Sequence, residues 1–396
     1  AARRGASLDR PAWRYPQPGP ASPGRQAAAG GHELGRRRWP GSGYCDRSVE
    51  LQQISRATVG WIWSPGEQGY GERRFIEVAM KRVFAVLAFV LMLSGPNVAR
   101  ASSPLVDVAW LLQHSGQESL VVLDLRGPRD YRRGHVPGAV NTSYGRDGWR
   151  VRGPRGTPGM FPAEAKPLAA LARTIGNLGV ANHSHVVLLP YGDSAGDMGV
   201  ATRIYWTFKV LGHDAVSILD GGMAAYTRQR LADKRTPVNP LAAGAENRPA
   251  RHFAVKLRRD MLINGDDAAA ALARGVPLVD ARPNLQFIGL QRSGSVLRAG
   301  TLPGAMSLPG EWLTDNGGGK FRDQSALRRL YGIADVPVEG ELISFCNTGH
   351  WASLNWFVSS ELMGNRRVRL YDGSLAEWTR RAGSPLELKV DPGSGG

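Results

Sequence analysis

From residue 102 onward, short apolar runs alternate with stretches whose apolar positions return at helical spacing, and this order of segments occurs twice. In the first half Leu120-Val121-Val122-Leu123 runs into Asp124-Leu125-Arg126. In the second, Pro277-Leu278-Val279 runs into Asp280-Ala281-Arg282. A turn and a small strand follow each, at Gly134-His135-Val136-Pro137-Gly138-Ala139-Val140 and at Gly300-Thr301-Leu302-Pro303-Gly304-Ala305-Met306. A second apolar strand comes later, His185 to Pro190 and Glu341 to Phe345. Helix-patterned stretches then run from Val200 to Leu211 and from Trp351 to Met363. A third strand ends in Asp-Gly in each half, at Val216 to Gly221 and Val368 to Gly373. Strands alternating with helices predict an α/β fold of two similar domains, each a mostly parallel sheet with helices on both faces. Asp233 to Ala250, rich in Pro, Ala and Asn, predicts a linker. The expected division is a first domain at 102–232, a linker at 233–255, a second domain at 256–387 and a flexible tail at 388–396.

The segment before this repeat reads differently. Residues 1–79 are rich in Gly, Pro, Ala and Arg and show no sustained period, which suggests a basic extension or translated upstream sequence rather than a domain. Met80 then begins a three-part pattern. Lys81 and Arg82 come first, the apolar run Val83 to Leu93 second, and Ala99-Arg100-Ala101 last. These are the parts of a secretory signal peptide, so the sequence predicts cleavage after Ala101, a periplasmic or secreted protein and no stable membrane insertion afterwards. The apolar run is short for a membrane span. Of the net charge of +16, five charges belong to residues 1–79 and three to Lys81, Arg82 and Arg100, leaving +8 for the rest. That remainder suits small anions or solubility. It lacks the basic-aromatic stripes that would indicate nucleic acid.

Removing the leader also changes the cysteine count. The chain has two cysteines, Cys45 and Cys346, and only Cys346 lies beyond Ala101. An exported chain would therefore form no internal disulfide. Leu342-Ile343-Ser344-Phe345 leads into Cys346, a short loop containing Gly349 follows, and a helical pattern begins at Trp351. In a strand–Cys–loop–helix segment, backbone N–H groups at the helix N-terminus can converge on a sulfur anion. Oxyanion-binding enzymes with a Cys-x5-Arg loop share this geometry, but Ala352 occupies the arginine position here. Asp193 and Asp197 read as loop acids, with no His or Cys arranged to make a metal site. The Asp-x-Arg pairs Asp124/Arg126 and Asp280/Arg282 sit at strand ends, where an ion pair would fix loops.

The paired Asp-x-Arg and Gly-x-x-Pro-Gly-Ala signatures, together with the Cys346 segment, resemble the rhodanese (sulfurtransferase) family in its tandem two-domain form. The resemblance covers roughly residues 104–385. It implies a catalytic cysteine in the second domain alone, and Pro190-Tyr191-Gly192-Asp193-Ser194 in the first half indeed contains none. It assigns Cys346 as nucleophile and carrier of a persulfide. Asn347, Thr348, Gly349, His350 and Trp351 become cradle and pocket wall, and no cofactor is implied. The implied partners are a small sulfur-donor anion and a thiol or cyanide acceptor, with a protein sulfur acceptor as a further option. The loop matches neither the thiosulfate nor the 3-mercaptopyruvate pattern, and Gln286 stands where mercaptopyruvate enzymes carry an arginine before Phe-x-Gly. Positive charge for the donor could come from Arg282, Arg292 or Arg298. His350 could be a proton donor, a charged anion contact or a polar loop residue. An exported sulfur carrier that receives persulfide from a protein partner, without turning over a small donor, is the alternative.

Overall fold

The computed structural model describes residues 102–229, 235 and 237–390. The expectations for residues 1–79 and for the signal peptide at Met80 to Ala101 fall outside the described residues. The first sheet contains β1 (Leu105–Val106), β2 (Leu120–Asp124), β3 (Val140–Asn141), β4 (His185–Leu189) and β5 (Val216–Leu219). The second contains β6 (Leu262–Ile263), β7 (Leu278–Asp280), β8 (Met306–Ser307), β9 (Leu342–Phe345) and β10 (Val368–Tyr371). Both sheets are wholly parallel. Their strand orders, β1-β5-β4-β2-β3 and β6-β10-β9-β7-β8, are one topology used twice. The central strands β4 and β9 are apolar almost throughout because helices cover both of their faces. Neither β1 nor β6 was foreseen; two residues are too few to show a period.

The helix after β4, Ala195–Val210, begins five residues before the expected Val200. Ser194 and Asp197 form a reciprocal capping box there, so Asp197 terminates a helix rather than sitting in a solvated loop. This helix is buried around most of its circumference, from Met198 to Val210. One side packs on its own sheet and the other on the helix His350–Phe357 of the second half, which widens into a π turn over Val358–Leu362. One apolar cluster therefore runs through both halves, from Leu188 and Trp206 to Leu354 and Phe357. Two smaller clusters, around Leu189 and Phe345, fill the outer faces. Tyr205 packs edge-on against Phe357 at 4.9 Å, a geometry that adds about 0.5–1.5 kcal/mol beyond area burial.

Polar bonds across the junction come in matched pairs. Asp220, just after β5, accepts from the Phe321 N–H at 3.0 Å, and Asp372, just after β10, accepts from the Phe161 N–H at 2.5 Å. Thr202 and Ser353 share a hydroxyl bond of 2.7 Å between the two facing helices. The connecting segment lies along the first half: Ala242 pairs with His135, Arg251 bonds to Gly176, and Phe253 is buried against Phe208. No helix among the described residues is long and apolar enough to cross a membrane.

Candidate active site

Cys346 is the first residue beyond β9, at the carboxyl edge of the sheet where open α/β folds gather their chemistry. It is fully buried. The chain turns at once through Asn347 and Thr348 to Gly349, whose φ of 74° lies in the left-handed region. A Cβ at Gly349 would also stand 2.3 Å from Arg203 Nη1 and 2.7 Å from the Asp372 carbonyl. Both conformation and space demand glycine.

A short helix, Ser374–Trp378, braces this loop from below. The N–H groups of Leu375 and Ala376 donate to the carbonyls of Cys346 and Asn347, at 3.1 and 2.9 Å. The Ser374 hydroxyl accepts from the N–H groups of Cys346 and Gly349, at 3.0 and 3.1 Å, and donates to the Tyr371 carbonyl. Ser374 does this with a φ of 49°, an uncommon conformation for a residue with a side chain. The carbonyls of Cys346 and Asn347 are thus spent on the protein. The N–H groups of Asn347, Thr348, His350, Trp351 and Ala352 have no acceptor among the described residues. No side chain caps the helix His350–Phe357. Such an N-terminus presents donors and partial positive charge to an anion.

The first half closes over this loop. Arg203, fully buried on the helix Ala195–Val210, forms an ion pair with Asp372 and lies 4.7 Å from the Trp206 ring centre. Its Nε and Nη1 have no partner. Burial works against the Arg203 charge, yet Asp372, Tyr144 and the Cys346 sulfur together hold its pKa above the ordinary arginine value. Gly159 abuts Thr348, since a Cβ there would sit 3.3 Å from the Thr348 side chain. Tyr144 is buried with its ring 5.8 Å from that of His350.

The predicted residues divide. His350 Nε2 lies 3.1 Å from the Gly196 carbonyl, which makes Nε2 the protonated nitrogen. Burial lowers the His350 pKa to about 4, so the ring is neutral near pH 7 and serves as a polar link to the first half rather than a charged anion contact. Trp351 packs against Gly310, a wall position. Asn347 donates to Gln286 Oε1 at 2.8 Å, so the glutamine at the expected arginine position does reach the loop. Arg282 and Arg298 do not join the loop. Arg282 is buried and holds Asp280 through Nε and Nη2, then the Gly300 carbonyl at 2.8 Å; Arg126 repeats this lock with Asp124 and Gly134. Arg298 is exposed and donates to the Ser384 carbonyl. Arg292 donates to the Val296 carbonyl. The positive charge beside the cysteine comes from Arg203, which sequence reading passed over. The signal was a lone arginine within the apolar pattern Val200 to Val210.

A tandem pair of parallel α/β domains, with one cysteine on a loop of free N–H groups where the halves meet, is the architecture of a two-domain sulfurtransferase. The chain belongs to the rhodanese family: the profile of the rhodanese-like domain matches residues 107–229 and again 264–381. The thiosulfate sulfurtransferase of Corynebacterium glutamicum is 30% identical over 298 residues, covering 72% of this chain and 90% of that protein. The fold is shared with SseA of Escherichia coli, a 3-mercaptopyruvate sulfurtransferase, at a TM-score of 0.57 and 24% identity over 69% of this chain and 99% of that one. It is shared too with Tum1 of Saccharomyces cerevisiae, at a TM-score of 0.58 and 21% identity over 72% of this chain and 98% of that one. The protein is a rhodanese-like sulfurtransferase.

Proposed function

We propose that Cys346 carries the transferred sulfur as a persulfide, taken from a small anionic donor of the thiosulfate or mercaptopyruvate type and passed to cyanide or a thiol. The observation that carries this reading is the enclosed loop itself. It joins the one cysteine among the described residues to five N–H groups without an acceptor there, and the unpartnered Arg203 Nη1 reaches Gly349 of the same loop. With thiosulfate, the Cys346 thiolate attacks the outer sulfur, the S–S bond of the donor breaks, and sulfite leaves with the electron pair. Cyanide then attacks the outer sulfur of the persulfide, thiocyanate departs, and the thiolate returns. The free N–H groups and Arg203 favour negative charge on sulfur in both halves of the cycle, because donors held in place by the fold need no reorganisation. Full burial of Cys346 favours a small donor over a docked protein donor, since either enters only when the wall moves and the smaller needs the smaller opening.

Steady-state sulfuration of cyanide, with thiosulfate and with 3-mercaptopyruvate, tests this reading. Turnover with at least one donor, abolished by Cys346→Ala, is expected. Intact mass should show one added sulfur atom on the wild type after exposure to donor alone. No turnover with either donor, together with persulfidation by a protein donor, would transfer the reading to a sulfur carrier. Export after cleavage near Ala101 belongs to the same proposal, and an N-terminal sequence of the natural protein starting near Ser102 would support it.

A further inference from the structure

Tyr144 stands on the wall over the cysteine loop and belongs to the half of the chain that has no cysteine. Its position is fixed from both sides. Asp147 accepts from the Thr142 hydroxyl at 3.0 Å and from the Ser143 N–H at 2.6 Å, and the buried Trp149 donates to Thr142 at 2.8 Å. The Arg150 guanidinium lies over the Tyr144 ring at 4.7 Å, and the His350 ring stands 5.8 Å from it. Within this rigid frame the Tyr144 hydroxyl is buried and has no hydrogen-bond partner. A buried, unpaired hydroxyl in a well-fixed loop costs stability, and folding alone would be served better by phenylalanine. The groups it shares the wall with, Arg203 Nε and Nη1, are likewise unpartnered donors.

We propose that the Tyr144 hydroxyl is a catalytic hydrogen-bond donor to the outer, anionic sulfur of the Cys346 persulfide. The inference rests on the persulfide reading given above. Donating is what the group is suited to. Desolvation raises its pKa, against the opposing pull of Arg203 and Arg150, so it stays a phenol at working pH. Arg150 is exposed over the ring, while the hydroxyl itself is shut off from solvent.

The test compares Tyr144→Phe and Tyr144→His with wild type for melting midpoint, for kcat and KM in cyanide sulfuration, and for persulfide content by intact mass. The expected result has Tyr144→Phe melting at or above the wild-type midpoint while kcat falls about 100- to 1,000-fold, the range for one lost donor to a developing anion. KM should change less than kcat. Tyr144→His, poorer in packing but able to donate, should recover part of kcat relative to Tyr144→Phe. A Tyr144→Phe enzyme turning over within about twofold of wild type, or one faster than Tyr144→His with an unchanged midpoint, would overturn the proposal and leave the hydroxyl a mere packing remnant. A wild type that gains no sulfur on Cys346 would defeat the persulfide reading itself, an outcome the mass measurement separates from failure of Tyr144 alone.

Discussion

The loops after β4 and β9 occupy equivalent places in two copies of one topology, and they solve the same problem in opposite ways. Each leads into a helix whose first N–H groups lack partners within the helix. After β4 side chains cap the start, satisfying the Asp197 N–H and the two N–H groups just before the helix. Ser194 accepts from the Asp197 N–H, and the Asp197 carboxylate accepts from the N–H groups of Asp193 and Ser194. Tyr191 completes the closure by accepting from Gly127 and donating to Asp130. After β9 no side chain caps the helix, and Gly349 admits Arg203 where a cap would stand. The turns beneath differ to match. Asp220-Gly221-Gly222 places glycine at a φ of 55°, whereas Asp372-Gly373-Ser374 places serine at 49° and uses its hydroxyl to grip the cysteine loop. The contrast teaches that the loop without a cysteine leads into a side-chain-capped helix, and the loop with one leads into an uncapped helix. The cysteine loop keeps its donors free at a cost in local stability.

The largest effect should come from the residue that joins the two helix starts. His350 opens the uncapped helix and donates to Gly196 in the first turn of the capped one. Burial, with Arg203 and Arg150 adding repulsion, lowers its pKa from 6.5 to about 4. A base with a depressed folded pKa binds its proton in the unfolded chain first. Its contribution is therefore complete above about pH 6.5 and is lost as pH falls through about 4. The full loss is on the order of 3 kcal/mol. His185, also lowered to about 4 by burial and by His114, adds to the same acid slope, so a variant is needed to isolate His350. Denaturant unfolding of wild type and His350→Gln at pH 7 and pH 4.5 should show the variant losing roughly 2 kcal/mol less stability over that interval. Equal losses would mean that protonation of His350 is not what parts the two helix starts in acid.

Ser374 is the next place to press. Ser374→Ala leaves the buried N–H groups of Cys346 and Gly349 without an acceptor while keeping the left-handed backbone, a combination expected to cost about 1–3 kcal/mol. Ser374→Gly loses the same bonds but relieves the backbone, and should be about 1 kcal/mol more stable than Ser374→Ala. Both should lower sulfuration turnover to a similar extent, because both loosen the loop that holds Cys346. If only Ser374→Ala impaired turnover, backbone strain rather than the grip of the hydroxyl would be the working part of the difference from Gly222.

How much of this was legible depended on how local each signal was. The repeated Asp-x-Arg and Gly-x-x-Pro-Gly-Ala strings gave the α/β halves, because each string is a self-contained lock: Arg282 ties Asp280 to Gly300 within one short stretch, as Arg126 ties Asp124 to Gly134. Cys346 was legible for the same reason, as a strand, loop and helix in succession. What escaped was non-local. Arg203 and Tyr144 reach the loop from the other half, and no spacing in one sequence encodes that approach. Arg282 and Arg298 were attractive substrate ligands by charge alone, but their bonds to Gly300 and Ser384 are fixed by packing. The helix start at Ala195 lies ahead of the apolar period that begins at Val200, and the polar string Asp193-Ser194-Ala195-Gly196-Asp197 has the composition of a loop although it holds a capping pair.

That cap supplies the smallest effect and the cleanest discrimination between the halves. Ser194→Ala removes the acceptor for the Asp197 N–H and half of the capping box, and should cost about 1 kcal/mol of stability. The capped helix carries Gly196 against His350 and Arg203 against the cysteine loop, so the cap could in principle support the site from a distance. The structure argues that it does not. Beyond its first turn the helix is held by Met198, Ala201, Ile204 and Phe208 in the shared core, and fraying confined to one turn leaves Arg203 in place. Sulfuration turnover of Ser194→Ala should therefore stay within about twofold of wild type, while the denaturation midpoint falls. A turnover loss as large as that of Ser374→Ala would show that the first half's helix start is part of the active site's support, and that the two loops differ less in their task than in their chemistry.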